Sequence, residues 1–300
     1  MHAALMPLWI ALLFLLYVFA AKWLILRSKA KRQSRPPIHL KLLRLPGETA
    51  RLKADELLEE MVDQLFYGAV ASTILMMGPL VVLVWVPAAD VRWLLFSSAV
   101  LFLTASVHHL RKVVKIGKKR ANYRLGAAGE REVAGHLQVL NAKGYKVFHD
   151  VPVTHEKGME NIDHLAVGPH DGLVLIETKT RSISTKENRG NQEVTFDGER
   201  LSWPTYPDDL KTVQQVKRCA RWVADLVREE FGRTIPVQQI IAIPGWEVVP
   251  GKCYNPRVLH PGALEDAFDM MMASQPNVFK PSEIKRLVAK IEILCRDADW

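Results

Sequence analysis

The chain has 300 residues, which is enough for one or two domains with a proper hydrophobic core. Its formal net charge of +8 comes from the first 120 residues, which hold 17 Lys and Arg against 7 Asp and Glu, whereas residues 121–300 hold 23 against 25. This balance argues against a strongly basic domain that coats DNA in the second half. Three widely spaced cysteines, Cys219, Cys253 and Cys295, argue against a disulfide framework or a zinc site and suit a reducing compartment.

Three apolar stretches in the first 110 residues are long enough to cross a bilayer. They are residues 3–26, 66–89 and 93–110. We expect residues 1–26 to form a first transmembrane helix. We expect residues 66–110 to form a transmembrane hairpin that turns at Pro87 to Asp90. The alternative for the first stretch is a cleaved signal peptide, but no Lys or Arg precedes it.

Basic clusters orient these predicted spans. Lys and Arg are concentrated at residues 27–35, after the first span, and at residues 111–120, after the third. By the positive-inside rule both clusters are cytoplasmic, so the N-terminus is outside and everything after residue 110 is inside. The sequence therefore predicts an integral protein of the inner (plasma) membrane with a lipid bilayer as partner. A transporter is disfavoured, because the spans contain no Asp, Glu or Arg.

The cytoplasmic segments between the spans have two compositions. Residues 27–65 read as a basic linker followed by an amphipathic helix at 48–64, where acidic residues alternate with leucines. Residues 111–121 form a second basic linker. We expect no chemistry from either segment.

The second half opens with a predicted helix that begins near Gly126 and ends at Gly144. Its apolar stripe is Val133, Leu137 and Leu140, and a step of three residues back along that stripe reaches Glu130. One carboxylate is therefore predicted on the face that packs inward, which is costly unless something positive meets it.

Three predicted strands follow, at residues 146–153, 161–167 and 173–181, and the last two are joined by the loop 168–172. If this hairpin is symmetric about His170, Asp163 lies directly opposite Glu177, where like charges are destabilising. A divalent cation between the two carboxylates would remove that penalty, with a main-chain carbonyl such as that of Thr178 and waters as further ligands. Lys179 would lean over the same site and stabilise charge on a phosphoryl group. The alternative is a structural ion pair in which Lys179 neutralises the two acids.

Three blocks resemble a known family. The segments "GAAGE" (126–130), "NIDHLAVGP" (161–169) and "GLVLIETKTR" (172–181) are similar to the nuclease-related domain (NERD), a family of the PD-(D/E)xK, restriction-endonuclease-like superfamily. The resemblance covers about residues 122–245. It implies an α/β fold with a restriction-endonuclease-like mixed sheet flanked by helices, here preceded by a three-helix transmembrane region. It also implies phosphodiester hydrolysis that depends on Mg²⁺ or Mn²⁺, without a small-molecule cofactor.

The same resemblance implies roles for individual residues. By motif position Glu130 is the helix acid, Asp163 the metal-binding acid, Glu177 the second acid and Lys179 the lysine, so that Asp163, Glu177 and Thr178 are the expected metal ligands. The family also tends to carry a glutamine in the helix after the core hairpin, here residues 208–228. We favour Gln215, with Gln214 as the alternative.

The remaining features are interpreted as structural. Residues 235–246 read as another buried strand, and the extension 246–300 as two helices, at 262–273 and 282–296, that cover the core. His164 falls on the face opposite Asp163 and is predicted to pack or hydrogen-bond rather than bind metal. Core or rim packing is also the safer expectation for the aromatic side chains Trp203, Tyr206, Trp222 and Trp246.

Two hypotheses for function follow. The first is a membrane-anchored, Mg²⁺-dependent nuclease that hydrolyses phosphodiester bonds of DNA, or else RNA, in the cytoplasm. The second is a catalytically inactive nucleic-acid-binding or scaffold module that keeps the nuclease fold at the membrane. The complete set of Glu130, Asp163, Glu177 and Lys179 favours the first, although a fold alone does not dictate a function.

Overall fold

We describe the chain from a computed structural model. The structure describes residues 2–31, 42–86, 90–155, 158–170, 172–183, 192–249, 255–274 and 277–296. The chain divides into two compact units. The first comprises Met1–His39 and Lys53–Ala121, and the second Leu40–Leu52 and Asn122–Trp300. The short segment Leu40–Leu52, which the sequence placed in a linker, therefore packs with the second half of the chain.

The first unit contains α1 (His2–Lys31) and most of α2 (Glu48–Trp85) and α3 (Val91–Leu137), whereas residues 48–52 of α2 and 122–137 of α3 belong to the second unit. Within the described residues, α2 and α3 are long and apolar enough to cross a membrane. The corresponding apolar run of α1 is the shorter Leu12–Leu24, so two candidate spans are found where the sequence predicted three. The predicted turn of the hairpin, at residues 87–89, lies outside the described residues.

Both long helices continue further than the sequence predicted. The expected amphipathic helix at 48–64 is the first part of α2, and the expected basic linker at 111–121 is an uninterrupted part of α3. The prediction of a helix that starts at Gly126 was therefore wrong. The reason is local: residues 111–125 are rich in good helix formers such as Lys, Arg, Ala and Leu and contain no proline, so nothing stops the preceding helix.

The second unit is organised around a five-stranded mixed sheet with the order β1-β2-β3-β6-β8. Strands β1 (Lys146–His155), β2 (Gly158–Val167) and β3 (Leu173–Thr178) are antiparallel, whereas β6 (Val237–Ala242) and β8 (Arg257–Leu259) continue the sheet in parallel with β3. A smaller sheet contains β4 (Glu193–Phe196), β5 (Leu201–Ser202) and β7 (Glu247–Val248). Strand β3 is buried along its whole length, as its unbroken apolar run indicates.

Helices cover both faces of the five-stranded sheet. On one face, α4 (Lys211–Phe231) and α6 (Pro281–Leu294) share a core with Leu165, Leu175 and Ile241 of the strands. On the other face, the end of α3 and the helix α5 (Leu264–Ser274) pack against Ala166, Val174 and Ile240. The predicted mixed sheet with flanking helices is therefore observed, and the apolar stripe of Val133, Leu137 and Leu140 is buried as expected.

Several interpretations of single side chains are confirmed. Trp203 and Trp246 are buried in the core, and Tyr206 and Trp222 pack partly buried against it, so all four aromatic side chains have packing roles. His164 is fully buried and hydrogen-bonded. Cys219 and Cys295 are buried and form no disulfide with each other, and Cys253 lies outside the described residues.

The two glycines of the motif "GAAGE", Gly126 and Gly129, have different surroundings. A Cβ atom at Gly129 would overlap the Thr180 methyl group and lie 3.3 Å from Pro244 Cγ, whereas a Cβ at Gly126 meets nothing within 4 Å. Gly129 therefore lets α3 approach the segment that follows β3.

We expect Gly129→Ala to destabilise the protein by about 1–3 kcal/mol, because the helix must move away from the sheet. Gly126→Ala is the matched control, and we expect it to be neutral or stabilising by up to about 1 kcal/mol through helix propensity. Thermal unfolding of the two variants measures the difference. Equal melting temperatures of the two variants would show that the close approach at Gly129 does not contribute to stability.

Candidate active site

The register of the sheet brings acidic residues together on three neighbouring strands. The pairs Val167–Leu173 and His164–Ile176 set the β2–β3 register, which is the register predicted from the symmetric hairpin. One step beyond the last pair, Asp163 follows opposite Glu177. On the other side of β2, the pairs His149–His164 and Val151–Ile162 flank the position where Asp150 meets Asp163. Asp163 thus lies between an acid on β1 and an acid on β3.

A chain of hydrogen bonds holds Asp163 and Thr178. The backbone N–H of Thr178 donates to Asp163 Oδ2 over 2.7 Å. The Thr178 hydroxyl lies 3.2 Å from Nε2 of the buried His164, whose Nδ1 lies 2.8 Å from Nδ1 of His149. Burial lowers the pKa of His149 to about 4 and lowers that of His164 well below its ordinary value, so the two rings are neutral and share one proton donor between their facing nitrogens. The pair fixes Thr178, and through its N–H the position of Asp163.

The two strand acids differ in exposure, because Glu177 is buried and Asp163 is partly exposed. Burial, followed by the negative charge of Asp163, raises the pKa of Glu177 well above its ordinary value, and Glu177 Oε2 is buried with no hydrogen-bond partner among the described residues. Burial also raises the pKa of Asp163 to about 7, although the Thr178 N–H and the charge of Lys179 act in the opposite direction. An orphaned carboxylate oxygen beside a second acid is an arrangement that native proteins rarely keep without a reason.

Glu130 reaches the same group of acids from α3. Burial, followed by the charges of Asp163 and Asp150, raises the pKa of Glu130 to about 9, and a hydrogen bond from the backbone N–H of Gly47 opposes the rise. The charges of Asp163 and Glu130 both act on Glu177. The sequence prediction that Glu130 lies on the inward face, toward the two strand acids, agrees with these interactions.

The sequence left open a structural ion pair of Lys179 with Asp163 and Glu177, but the ion-pair partner of Lys179 in the described residues is Asp209. Lys179 Nζ lies 3.1 Å from Asp209 Oδ2, and within the described residues this is its ion pair, not one with Asp163 or Glu177. Arg181 Nη2 contacts the same Asp209 oxygen at 3.3 Å. Burial disfavours the ionised form of Asp209, but the N–H of Thr212 and the charge of Lys179 outweigh it and lower the pKa of Asp209 to about 2. Asp209 thus anchors Lys179, whose charge also acts on Asp163 and Glu177.

The two glutamines of α4 differ in their exposure. Gln215 is partly buried, whereas Gln214 is exposed. One turn after Gln215, the thiol of Cys219 is close enough to Glu177 for the carboxylate charge to contribute to a rise of the thiol pKa to about 12, after the larger effect of burial. Gln215 therefore lies on the side of α4 that meets the site, and it stays the favoured candidate.

The oxygen atoms of the acidic cluster determine whether it can hold a divalent cation. Among the described residues, no group of three or more His, Cys, Asp or Glu side chains converges as a ready metal cage. The unpartnered oxygen of Glu177 next to Asp163 instead fits a cation held by two carboxylates, a main-chain oxygen and waters. Mg²⁺ is commonly held in this way, because it keeps part of its water shell and takes one or two carboxylates from the protein.

Two residues of this group were missed by the sequence reasoning. Asp150 is buried, and it is the one non-glycine residue in the described chain with a left-handed backbone, at φ 51°. Asp209 closes the first turn of α4, where its Oδ1 accepts from the Thr212 N–H over 3.0 Å. An Asp three residues before Thr212 is a recognisable helix-start signal, so Asp209 could have been noticed, whereas the position of Asp150 depends on the strand register.

The segment that carries these residues is similar to a known protein family. Residues 125–244 match the family model of the nuclease-related domain, NERD. The matched segment runs from the end of α3 through β6 and contains Glu130, Asp163, Glu177, Lys179 and Gln215. No curated protein and no solved structure matches the chain. The NERD match supports a nuclease-like function for this segment, and it leaves α1, α2 and the C-terminal helices unassigned.

The raised pKa values in the NERD segment predict a pH dependence of stability. Glu130, Asp163 and Glu177 hold protons in the folded protein at pH values where the unfolded chain has released them. Unfolding then releases protons from these acids, so stability without metal should fall as the pH rises from about 5 to about 8. His149 and His164, whose pKa values are lowered by burial from 6.5, take up protons on unfolding below that pH, so the fall should be steeper above pH 6.5 than below it. Asp209, with its pKa lowered to about 2, titrates below this window and adds no slope.

The measurement is a series of thermal melts in EDTA between pH 5 and 8. Glu130→Gln should show a shallower fall in melting temperature than the wild type, because one of the titrating acids is gone. Glu132→Gln, an exposed position on the same helix, is the control and should retain the wild-type slope. Identical slopes in all three proteins would contradict the assignment of Glu130 to the buried acids.

Proposed function

We propose that this protein is a membrane-anchored nuclease that depends on a divalent metal and hydrolyses phosphodiester bonds of DNA, with RNA as the alternative substrate. The observation that carries the proposal is the unpartnered, buried carboxylate oxygen of Glu177 beside Asp163, in a segment that matches the nuclease-related domain. A charged pair of this kind is costly in a purely structural site and useful in one that binds a cation.

Each residue has a defined part in the proposed reaction. Asp163, Glu177 and the main-chain carbonyl of Thr178 would hold Mg²⁺ or Mn²⁺. The bound ion supplies Lewis-acid polarisation of a phosphoryl oxygen and a lowered pKa for a bound water. Lys179, which Asp209 anchors, stabilises negative charge on the phosphoryl group while water adds and the P–O bond to the leaving oxygen breaks. Gln215 orients substrate or water from α4.

A scaffold function is the second candidate, and two observations favour it. Among the described residues no preformed three-ligand cluster exists, and residues 121–300 hold 23 Lys and Arg against 25 Asp and Glu, which is unfavourable for avid binding to phosphate backbones. Against it stands the ion pair of Lys179 with Asp209, because Lys179 then acts on Asp163 and Glu177 only through its nearby charge, and Glu177 Oε2 has no hydrogen-bond partner among the described residues. A binding module would gain nothing from that arrangement.

The decisive experiment is a cleavage assay with the full-length protein in detergent. Labelled single- and double-stranded DNA and RNA are incubated with Mg²⁺, Mn²⁺ or EDTA. We expect cleavage that requires metal and falls by about 10²-fold or more in Lys179→Met and Asp163→Asn. Lys217→Met, an exposed lysine on α4, is the control and should retain wild-type activity. Absence of cleavage on every substrate with either metal would favour the scaffold function.

Thermal melts across a Mg²⁺ titration provide the control for folding and for metal binding. The wild type should gain stability as Mg²⁺ rises, because the ion binds the folded state preferentially. Asp163→Asn should be at least as stable as the wild type without metal and gain less from Mg²⁺, because the change removes both a repulsion and a ligand. Destabilisation of Asp163→Asn at every Mg²⁺ concentration, together with a wild type indifferent to metal, would contradict a metal site.

We also propose that the NERD segment is cytoplasmic and that the protein resides in the inner (plasma) membrane, with the lipid bilayer as a second partner. The two apolar helices α2 and α3 and the basic residues at 27–35 and 111–120 support this orientation. Reporter fusions after Lys53 and after Trp300 should both report the cytoplasm, and a fusion near Ala89 the exterior. An exterior signal after Trp300 would remove the access of the site to cytoplasmic nucleic acid.

A further inference from the structure

A segment far upstream of the NERD match lies against the candidate site. Residues 42–49, which we call the strap, lead into α2 and include its first two residues, and they belong to the same compact unit as the sheet. At its start, Leu43 forms an isolated antiparallel bridge with Arg296, and the Arg44 N–H donates to the Cys295 carbonyl over 3.1 Å. Leu43 also packs against the core shared by α4 and α6. The first residues of the strap are therefore built into the fold.

The other end of the strap is bound to Asp150. The backbone N–H and the hydroxyl of Thr49 both donate to Asp150 Oδ2, over 3.1 and 2.7 Å. Asn161 Nδ2 donates both to the Thr49 oxygen and to Asp150 Oδ1, each over 2.8 Å. Arg44 adds a hydrogen bond to the Asp150 carbonyl at 3.3 Å. These bonds occupy the buried carboxylate of Asp150, whose backbone is left-handed at φ 51°.

Between these two anchors the strap touches the acid of α3. Gly47 has φ 71°, and a Cβ atom there would lie 2.8 Å from Ala127 Cα and 2.9 Å from the Ala127 carbonyl oxygen. A side chain is therefore excluded both by the backbone conformation and by the neighbouring backbone. This close approach brings the Gly47 N–H to the turn of α3 that carries Glu130, where it counteracts the rise of the Glu130 pKa.

We propose that the strap is a part of the active site, in which Gly47 is a positioning residue that holds the Glu130 carboxylate in place and Asp150, through Thr49, is its anchor. The catalytic consequence of this contact rests on the proposed function, whereas the contact itself does not. It gives Asp150 a role that differs from that of the other acids: its oxygens bind the strap and are not offered to a cation. It also makes the functional domain discontinuous, because a fragment that begins at residue 122 would lack Gly47.

The test uses the full-length protein and variants of Thr49, because Gly47→Ala alone is ambiguous if the protein fails to fold. Thr49→Val removes the hydroxyl bonds to Asp150 and Asn161 and keeps the shape of the side chain. Thr49→Ser restores the hydroxyl. Thr154→Val, an exposed position on β1, is the matched control.

The first measurement is hydrogen exchange, which requires no catalytic activity. Thr49→Val should speed exchange of the Gly47 amide by about tenfold or more and also raise exchange around residues 127–131, whereas Thr49→Ser and Thr154→Val should match the wild type. Unchanged exchange of the Gly47 amide in Thr49→Val would show that Asp150 does not anchor the strap. Faster exchange confined to the strap, with residues 127–131 unaffected, would show that it does not position Glu130.

The second measurement is steady-state cleavage kinetics. A positioning role predicts that Thr49→Val lowers kcat by about tenfold with KM changed by less than about twofold, and that Thr49→Ser restores kcat. A normal kcat in a variant whose strap has opened would overturn the proposal. If the wild type itself cleaves no substrate, the nuclease function fails, and the exchange measurements alone decide whether the strap holds Glu130.

The pair Gly47→Ala and Gly232→Ala supplies a further check, since Gly232 also has a positive φ, 67°, but open space around it. Only Gly47→Ala should lose catalysis.

Discussion

Repulsion between buried carboxylates is the constraint on which the second unit depends. Asp163 in the middle of β2 and Glu177 near the end of β3 occupy opposing positions, and Glu130 approaches them from α3, so three acids share one poorly solvated region. In the absence of a cation, the chain tolerates them by keeping protons on them, as their raised pKa values indicate. A fold that only needed stability would replace such a group with apolar side chains.

The surrounding residues serve to keep these acids in fixed positions. The Thr178 N–H, supported by His164 and His149, holds Asp163. Asp209 keeps Lys179 beside the acids without letting it neutralise them, and the same carboxylate caps the first turn of α4. Each support is a short hydrogen bond or ion pair made by a buried or partly buried group, which is the kind of interaction that restricts a side chain to one geometry. The arrangement is typical of a site prepared for chemistry.

Close packing of backbones is the second means by which the site is assembled. Gly129 allows α3 to approach Thr180 and Pro244, and Gly47 allows the strap to approach Ala127. Both glycines lie beside Glu130 in space, although they are 82 positions apart in the chain. The helix acid is therefore held between the sheet and a segment that leads directly into α2, one of the two helices long and apolar enough to cross a membrane. The nuclease-like unit and the predicted anchor are thus interleaved in the chain.

The sequence by itself determined the local parts of this protein. The apolar run of β3, the stripe of Val133, Leu137 and Leu140 and the symmetric hairpin loop were sufficient to predict a buried strand, the inward face of a helix and the β2–β3 register. These features depend on residues near each other in the chain, so their periodicity is readable. The mixed sheet with flanking helices was implied by the resemblance to NERD. Contacts between distant segments were not readable: the approach of Gly47 to the turn of α3 that carries Glu130, the anchoring of the strap by Asp150 and the pairing of Lys179 with Asp209. Lys179 looked like the neutralising partner of two acids because it is two residues from Glu177, but Asp209, 30 residues further along the chain, binds it instead. Only the tertiary structure decides such competitions, because the energy of an ion pair depends on distance and burial in space and not on separation along the chain.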